Sequence, residues 1–508
     1  MIARWCAVMA LACLCLRPAV AATPRSDVLA VGLAAIHQDA LADFAVSTLA
    51  VEGMKGLSTI DPDFGIVVHG HFRLTVMYGS HHVADYYVPK PNDADGWAAL
   101  IRRTVTAVAP LSPAIAAAPP ERIDQAVFDA ALALLDVFSR YAGPAEAQQH
   151  RAARNGFGGI GVRIEPDGDT LRVTDVSPNG PAAGAGFKAG DRIVAIDGAS
   201  VAGLSRDAVA AKLRGPINST IVLSVRRQGW LAVRLVTLHR ALVVPRSVTS
   251  HVDEGGIVTI TIAEFNADTG RAVAAVLKTA RQGKPPSGII LDLRGNPGGL
   301  LEQGVAVAGQ FLAKGPIVAT RGRHPASIRT YFAGPGGLGG TLPLAVLIDG
   351  GTASAAEIVA AALEDSGRAV LIGTTSFGKG TIQTVLTLPN DGELTLTWSR
   401  FITPSGYALH GLGVLPTVCT AGEPTRVDAP LAPLRSDRAD IAATIAAWRS
   451  VRLDDAAGRA HLRTHCPPSI HAAATIDEAV ARRLLGDPAL LAGALALTAP
   501  VADTALRP

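Results

Sequence analysis

No stretch of this 508-residue sequence reaches the ~20 uninterrupted apolar residues that a membrane-spanning helix needs. Cys6 to Leu16 falls well short, and later apolar runs are interrupted by charge or glycine. Net charge is also scarce: a formal +3 gives no reason to expect nucleic acid or an acidic surface as the main partner. Cysteine is sparse, with five residues, and Cys6, Cys13 and Cys15 fall in the first 21 positions. No internal repeat of fixed period is present. What remains is a globular composition, 49% hydrophobic and 18% charged, in a chain too long for one core, so two or more folded units are expected.

The first 21 residues read as an export signal. Arg4 supplies the positive start, Cys6 to Leu16 the short apolar core, and Ala19-Val20-Ala21 a small-x-small cleavage site, giving a mature start near Ala22. Ala10-Leu11-Ala12 before Cys13 is a poor match to a lipid-anchoring signal. The expectation is an exported protein, periplasmic or in the cell envelope, with no integral span after signal removal. The mature chain keeps Cys419 and Cys466, which in an oxidising compartment either pair as a disulfide or stay two separate buried thiols; spacing alone does not decide.

Residues 22–150 are mainly helical, with apolar positions at helical spacing over Asp27–Met54 and Pro119–Tyr141. Gly65 to Met77 between them reads as strand, broken near Gly70. His69, His71, His81 and His82 crowd this region, but no cysteine completes a metal-ligand spacing, so they read as strand and loop histidines and no metal is expected. Residues 156–240 are a compact unit of short strands and many glycines. From 241 to 420 strand and helix signals alternate: buried strands at Gly288–Leu293, Leu344–Asp349 and Val370–Gly373, and helices at Leu300–Leu312 and Ala355–Glu364, an α/β layer. Residues 421–436 read as a linker, rich in proline and charge from Pro424 onward, and residues 437–508 as a helical C-terminal region.

Two turns carry chemistry. In Asp349-Gly-Gly-Thr-Ala-Ser-Ala-Ala-Glu, Ser354 falls at a helix entrance, where backbone N–H groups lack helical partners and the dipole is positive. A serine there can face a substrate, with the N–H of Ala355 aimed at a developing oxyanion; the plainer reading is an N-cap with Glu357 completing a capping box. In Ser376-Phe-Gly-Lys-Gly-Thr-Ile-Gln, flanking glycines let the backbone crowd Lys379, and no Asp or Glu lies between Asp365 and Asp391 to keep it charged. A phosphate-binding turn would need Ser or Thr where Gly380 stands, and a helix where Thr381–Leu388 looks like strand. Gln383 would neighbour Lys379 on a helical turn but lie ~13 Å away along a strand. Arg294-Gly-Asn-Pro-Gly-Gly is either a plain strand-to-helix turn or a second oxyanion donor through Gly298 and Gly299.

Together these segments resemble the C-terminal processing peptidases, a Ser–Lys endopeptidase family. The resemblance rests on Leu291-Asp-Leu-Arg-Gly-Asn-Pro-Gly-Gly-Leu-Leu, on Ser354-Ala-Ala-Glu-Ile-Val-Ala-Ala-Ala-Leu-Glu-Asp, and on Ile372-Gly-Thr-Thr-Ser-Phe-Gly-Lys-Gly-Thr-Ile-Gln. Thr403-Pro-Ser-Gly followed by Gly411-Leu-Gly-Val-Leu-Pro-Thr adds to it, and the whole covers roughly residues 130–420. It implies a Ser354 nucleophile, a Lys379 base, Gln383 positioning the lysine, and oxyanion donors from Ala355 and from Gly298 or Gly299. The implied fold is multidomain α/β: a PDZ domain (151–240) inserted before a crotonase-like catalytic domain (241–420), with helical N- and C-terminal regions. The PDZ likeness rests on Gly156-Phe-Gly-Gly-Ile-Gly-Val and on Pro181-Ala-Ala-Gly-Ala-Gly-Phe-Lys-Ala-Gly-Asp-Arg-Ile-Val-Ala-Ile-Asp-Gly. It implies that Phe157, Gly158, Gly159, Ile160 and Gly161 capture a substrate C-terminus.

The sequence departs from the family at Thr352, where serine is frequent, and at Val137, where proline is usual; residues 22–128 and 421–508 match poorly. Arg227 reads either as a relay between PDZ and active site or as an exposed strand arginine. The implied partners are proteins or peptides with free C-termini, no cofactor is required, and oligomerisation stays open. The rival classes are a catalytically silent PDZ adaptor that binds tails without cutting, and a Ser–His–Asp hydrolase, against which the missing Gly-x-Ser-x-Gly elbow at Ser354 counts.

Overall fold

The computed structural model describes residues 27–498 apart from 336, 423 and 472–475. The export signal lies outside the described residues, among which no helix is long and apolar enough to cross a membrane.

The N-terminal helical stretch is two helices, Val28–Asp39 and Val46–Lys55. Asp27 caps the first, accepting from the N–H groups of Leu29 and Ala30, and the chain turns extended at Ala40. The segment around Gly70 is a hairpin, because Gly70 takes φ +58° between strands Phe64–His69 and Arg73–Tyr78; a third strand, His81–Tyr87, completes an antiparallel sheet. Helix Ala94–Val108 packs on its third strand, and helix Pro120–Leu132 packs on helix Val46–Lys55. This core is not closed on itself: Leu29, Leu49, Met54 and Phe128 are buried in one cluster with Leu394 and Leu396, which lie on a strand of the catalytic unit.

The PDZ-like unit is a sheet in the order 234–239, 220–226, 192–196, 170–176, 162–167, around a core of Leu171, Val173, Ile193, Val209 and Leu223. Strand Val162–Asp167 is its edge, with helix Arg206–Leu213 beside it.

The unit of residues 241–420 has two sheets. One runs 248–252, 257–262, 288–292, 344–348, 370–373, 418–419, antiparallel in its first pair and parallel thereafter. Gly288–Asp292 and Leu344–Ile348 are buried at every position, as parallel strands covered on both faces must be. The helices Thr269–Ala280, Leu301–Phe311 and Ala355–Asp365 belong to this unit. The second sheet runs 329–332, 316–322, 393–402, 381–387, and the short strand Arg140–Ala142 joins it against 393–395.

Within 421–436, Leu431 and Leu434 are buried with Val480, Leu484 and Leu491 against Ile290 and Leu347 of the parallel sheet. C-terminal helices follow at Arg438–Ser450, Ala456–Arg463, Asp477–Leu485 and Pro488–Leu495. Cys419 and Cys466 form a disulfide with Cα atoms 5.9 Å apart, joining the last strand of the parallel sheet to this region.

Candidate active site

The strand Leu344–Ile348 runs into the turn that carries Ser354. Asp349 shapes that turn: its Oδ1 accepts from the N–H groups of Gly295 (2.8 Å), Gly351 (2.9 Å) and Thr352 (3.0 Å). Ser354 is held at φ +56°, ψ −118°, a backbone that costs a non-glycine residue of order 1–3 kcal/mol. It is half-buried at the head of the helix Ala355–Asp365. Its own N–H donates to Glu357 Oε2 at 2.8 Å, the glutamate half of the expected capping box.

The glycine loop lies against this turn. A Cβ on Gly298 would sit 2.7 Å from Ser354 Cβ, so only glycine permits the approach. Buried Asn296 sets the loop: it accepts from Gly298 N–H (2.8 Å), donates from Nδ2 to the Ile262 carbonyl (2.7 Å), and offers its carbonyl to Ala353 N–H (2.8 Å). The Gly298 N–H is therefore committed to Asn296. The N–H groups of Gly299 and Ala355 have no acceptor among the described residues, and both residues line the cavity onto which Ser354 opens.

Lys379 reaches that cavity from the other turn. A Cβ on Gly380 would lie 2.2 Å from the His410 nitrogen, and this close approach presses the lysine turn against its neighbour. The Lys379 Nζ stands 5.0 Å from the centre of the Phe138 ring, and no carboxylate is within ion-pairing distance of it among the described residues. Burial pushes its pKa down and the Arg140 guanidinium pushes it further, against the pull of Glu357 and Asp136.

One buried side chain joins the two turns. Glu357 accepts at Oε2 from the backbone N–H of Ser354 (2.8 Å) and of Lys379 (2.9 Å), and at Oε1 from Gly378 N–H (2.7 Å) and Ser376 Oγ (2.5 Å). Burial pushes its carboxyl up to about 7, and these four hydrogen bonds oppose the rise.

Ser354, Lys379, Ala355, Gly299 and Gln383 thus line one cavity of about 610 Å³. No hydrogen bond joins Ser354 to Lys379. Gln383 lies on the strand Thr381–Thr387, and its amide donates to Thr381 and Thr397 (3.1 Å each), not to the lysine. Phe138, Arg140, Asp136 and Asn296 carry no local sequence signal for these roles; Glu357 carried one, but only as a capping residue.

In the PDZ-like unit, Phe157–Gly159 pairs with Ala241–Val243, and the Phe157 ring lies under the Arg214 guanidinium at 4.4 Å. The Gly158, Ile160 and Gly161 carbonyls accept from Gly215, Ala182 and Ser177, turning inward. The N–H groups of Ile160 and Gly161 have no acceptor among the described residues. Arg227 is clamped inside this unit on Asp191, at 2.5 and 2.7 Å, and stacks on Trp230. Of the N-terminal histidines, His69 bonds Thr75 and His82 pairs with Asp85. Among the described residues no three His, Cys, Asp or Glu side chains are placed to hold a metal ion.

Residues 256–420 match Peptidase family S41 and residues 172–227 match the PDZ domain. The chain is 38% identical over 288 residues to a carboxy-terminal-processing protease of Bartonella bacilliformis, covering 56% of this chain and 66% of that protein. It is 33% identical over 299 residues to a carboxyl-terminal-processing protease of Picosynechococcus, covering 58% and 72%. A match to the Synechocystis carboxyl-terminal-processing protease, 35% identical over 262 residues, spans 51% of this chain and 61% of that protein. Among solved structures, the photosystem II D1 C-terminal processing protease aligns over 76% of this chain and 96% of its own at 28% identity, with a TM-score of 0.36. The chain belongs to the C-terminal processing peptidases, the PDZ-bearing serine proteases of Peptidase family S41.

Proposed function

We propose that this protein is an exported endopeptidase that cuts protein substrates near their C-termini, with Ser354 as nucleophile and Lys379 as general base. One observation carries the reading. A strained serine at a helix entrance and a partly buried lysine with no ion-pair partner among the described residues open onto the same cavity, their backbones tied to one buried carboxylate. A lysine can act as base only when neutral, and burial together with Arg140 favours that form. Neutral Lys379 takes the Ser354 hydroxyl proton as Oγ attacks the scissile carbonyl. The oxyanion is met by the unengaged N–H groups of Ala355 and Gly299, with Gly298 serving as the close-packed neighbour. The lysine returns its proton to the leaving amine, and water, deprotonated by the same lysine, releases the acyl group.

Substrate tails would dock as an added strand along the edge strand Val162–Asp167, with the terminal carboxylate on the N–H groups of Ile160 and Gly161. Gln383 in its hydrogen bonds to Thr381 and Thr397 is one rotamer of a side chain on the cavity wall; the proposed lysine-positioning role requires it to turn towards Nζ. The test is a protein with an apolar C-terminal tail, incubated with wild type and with Lys379→Ala, the products read by mass spectrometry. Wild type should cut and the variant should not, at an unchanged melting temperature. Cleavage by the variant ends the assignment, and binding without cleavage by wild type favours a silent adaptor.

A further inference from the structure

The segment Arg463–His471 lies outside residues 256–420, the part matched to the peptidase family, yet it touches both turns of the candidate site. The Ser469 carbonyl accepts from Gly350 N–H (2.8 Å), in the turn leading to Ser354, and from Thr374 Oγ1 (2.9 Å), in the turn leading to Lys379. A single carbonyl thus spans the two. Cys466 adds a carbonyl bonded by Thr375 Oγ1 at 2.5 Å, and Arg463 donates to the Ser376 carbonyl at 3.3 Å. The His471 N–H donates at 3.0 Å to Asp349 Oδ2, whose other oxygen gathers Gly295, Gly351 and Thr352. Three loops therefore rest on one short stretch.

Besides these hydrogen bonds and the buried His471–Asp477 contact (2.8 Å), that stretch has no regular structure of its own. Between the helix ending at Arg463 and the one starting at Asp477, residues 464–471 form no helix or strand. Its covalent anchor is the Cys466 sulfur, bonded to Cys419 on the strand beside Gly373, one residue before the lysine turn. Cys466 is buried and Cys419 is half-buried.

Resting on the Ser354–Lys379 reading, we propose that Arg463–His471 is a positioning element of the active site, locked by Cys419–Cys466, so that turnover requires this disulfide. A dithiol reductant would release it. One thiolate attacks a protein sulfur and expels the other as a thiolate that takes up a proton. The reductant's second thiol then resolves the mixed disulfide, leaving two protein thiols and one cyclic disulfide. The loops would keep their sequence but lose the support that sets their spacing, where a misplacement of about 1 Å costs on the order of 10²-fold in rate.

The experiment compares the oxidised full chain with the chain reduced by dithiothreitol, both thiols verified by alkylation and mass spectrometry. The readouts are kcat and KM on a tailed peptide and the affinity of a tail peptide for the PDZ unit. The expected result is a fall in kcat of about tenfold or more, with KM and tail affinity unchanged, reversed by oxidised glutathione. Cys419→Ser/Cys466→Ser should show the low kcat with and without reductant. Thr374→Val, which keeps the disulfide but removes both hydrogen bonds between Thr374 Oγ1 and the Ser469 backbone (2.9 and 3.3 Å), should lower kcat several-fold, so the proposal stays testable if the reduced chain unfolds. A fully reduced, folded enzyme with kcat within twofold of the oxidised one overturns it, as does wild-type kcat in Thr374→Val. Absence of cleavage by the oxidised wild type would instead refute the functional reading.

Discussion

Glu357 is the most informative residue to alter, because its four hydrogen bonds separate geometry from charge. Three of its donors, the N–H groups of Ser354, Gly378 and Lys379, are backbone and cannot rotate away; the fourth, Ser376 Oγ, can turn to accept. In Glu357→Gln the best placement puts the new amide NH2 towards Ser376, leaving the N–H of Gly378 facing a donor. One buried orphan donor costs about 1–3 kcal/mol of stability, while the Oε2 position, which joins the Ser354 and Lys379 turns, keeps its acceptor. Glu357→Ala removes all four contacts and strands three backbone donors, roughly 3 kcal/mol at the least. It also frees the serine and lysine turns to drift, for which a loss in kcat on the order of 10²-fold is expected. Charge adds a second signature. Ionised Glu357 favours protonated Lys379, so the Gln variant should move the acidic limb of kcat/KM to lower pH, most visibly above the value of about 7 at which the native carboxyl ionises. Thermal melts and pH–rate profiles of both variants measure these effects. A folded Glu357→Ala enzyme with kcat within twofold of wild type would show that the carboxylate does not align the pair.

Two further substitutions probe the same site from other sides. Gly298→Ala places a Cβ 2.7 Å from Ser354 Cβ and 2.8 Å from the Ala353 carbonyl at φ +98°, so kcat should fall on the order of 10²-fold; near-normal steady-state kinetics would mean that the loop yields. Arg140→Met removes a positive charge that disfavours protonated Lys379. The lysine pKa should rise, and because only the neutral amine is a base, the acidic limb of kcat/KM should move to higher pH, with the plateau near wild type and the shift reversed in Arg140→Lys. A limb that stays put would remove Arg140 from the account.

How far the fold could be read ahead depended on how local each element's burial is. Gly288–Asp292, Leu344–Ile348 and Val370–Gly373 announce themselves as apolar runs because parallel strands covered on both faces have no polar side to show. Apart from Thr381–Leu388, the second sheet gives little such notice. Its strands come from 140–142, 316–322, 329–332, 381–387 and 393–402, and the first of these is supplied by the N-terminal region. In residues 421–436 proline and charge dominate the composition, so the burial of two leucines, Leu431 and Leu434, gives no sequence signal.

The site divides along the same line. Ser354 and Lys379 stand in glycine-rich turns after buried strands, so the residues that expose them are their own neighbours in sequence. What lowers the lysine pKa is not local. The interval free of carboxylates from Asp365 to Asp391 suggests an unpaired amine, but a pKa sums over neighbours in space. Glu357 comes from the serine helix, and Phe138, Arg140 and Asp136 from the end of the N-terminal region, all near the Nζ. That region is therefore no appendage. It buries Leu394 and Leu396 of the sheet that forms the cavity wall, pairs Arg140 with Thr395, and supplies both the ring and the guanidinium that bear on the lysine. Its helices had no visible connection to the chemistry because that connection is made by long-range packing on Leu394 and Leu396 and by the short stretch from Asp136 to Ala142, whose three-residue strand is too short to carry a periodicity that sequence reading can use.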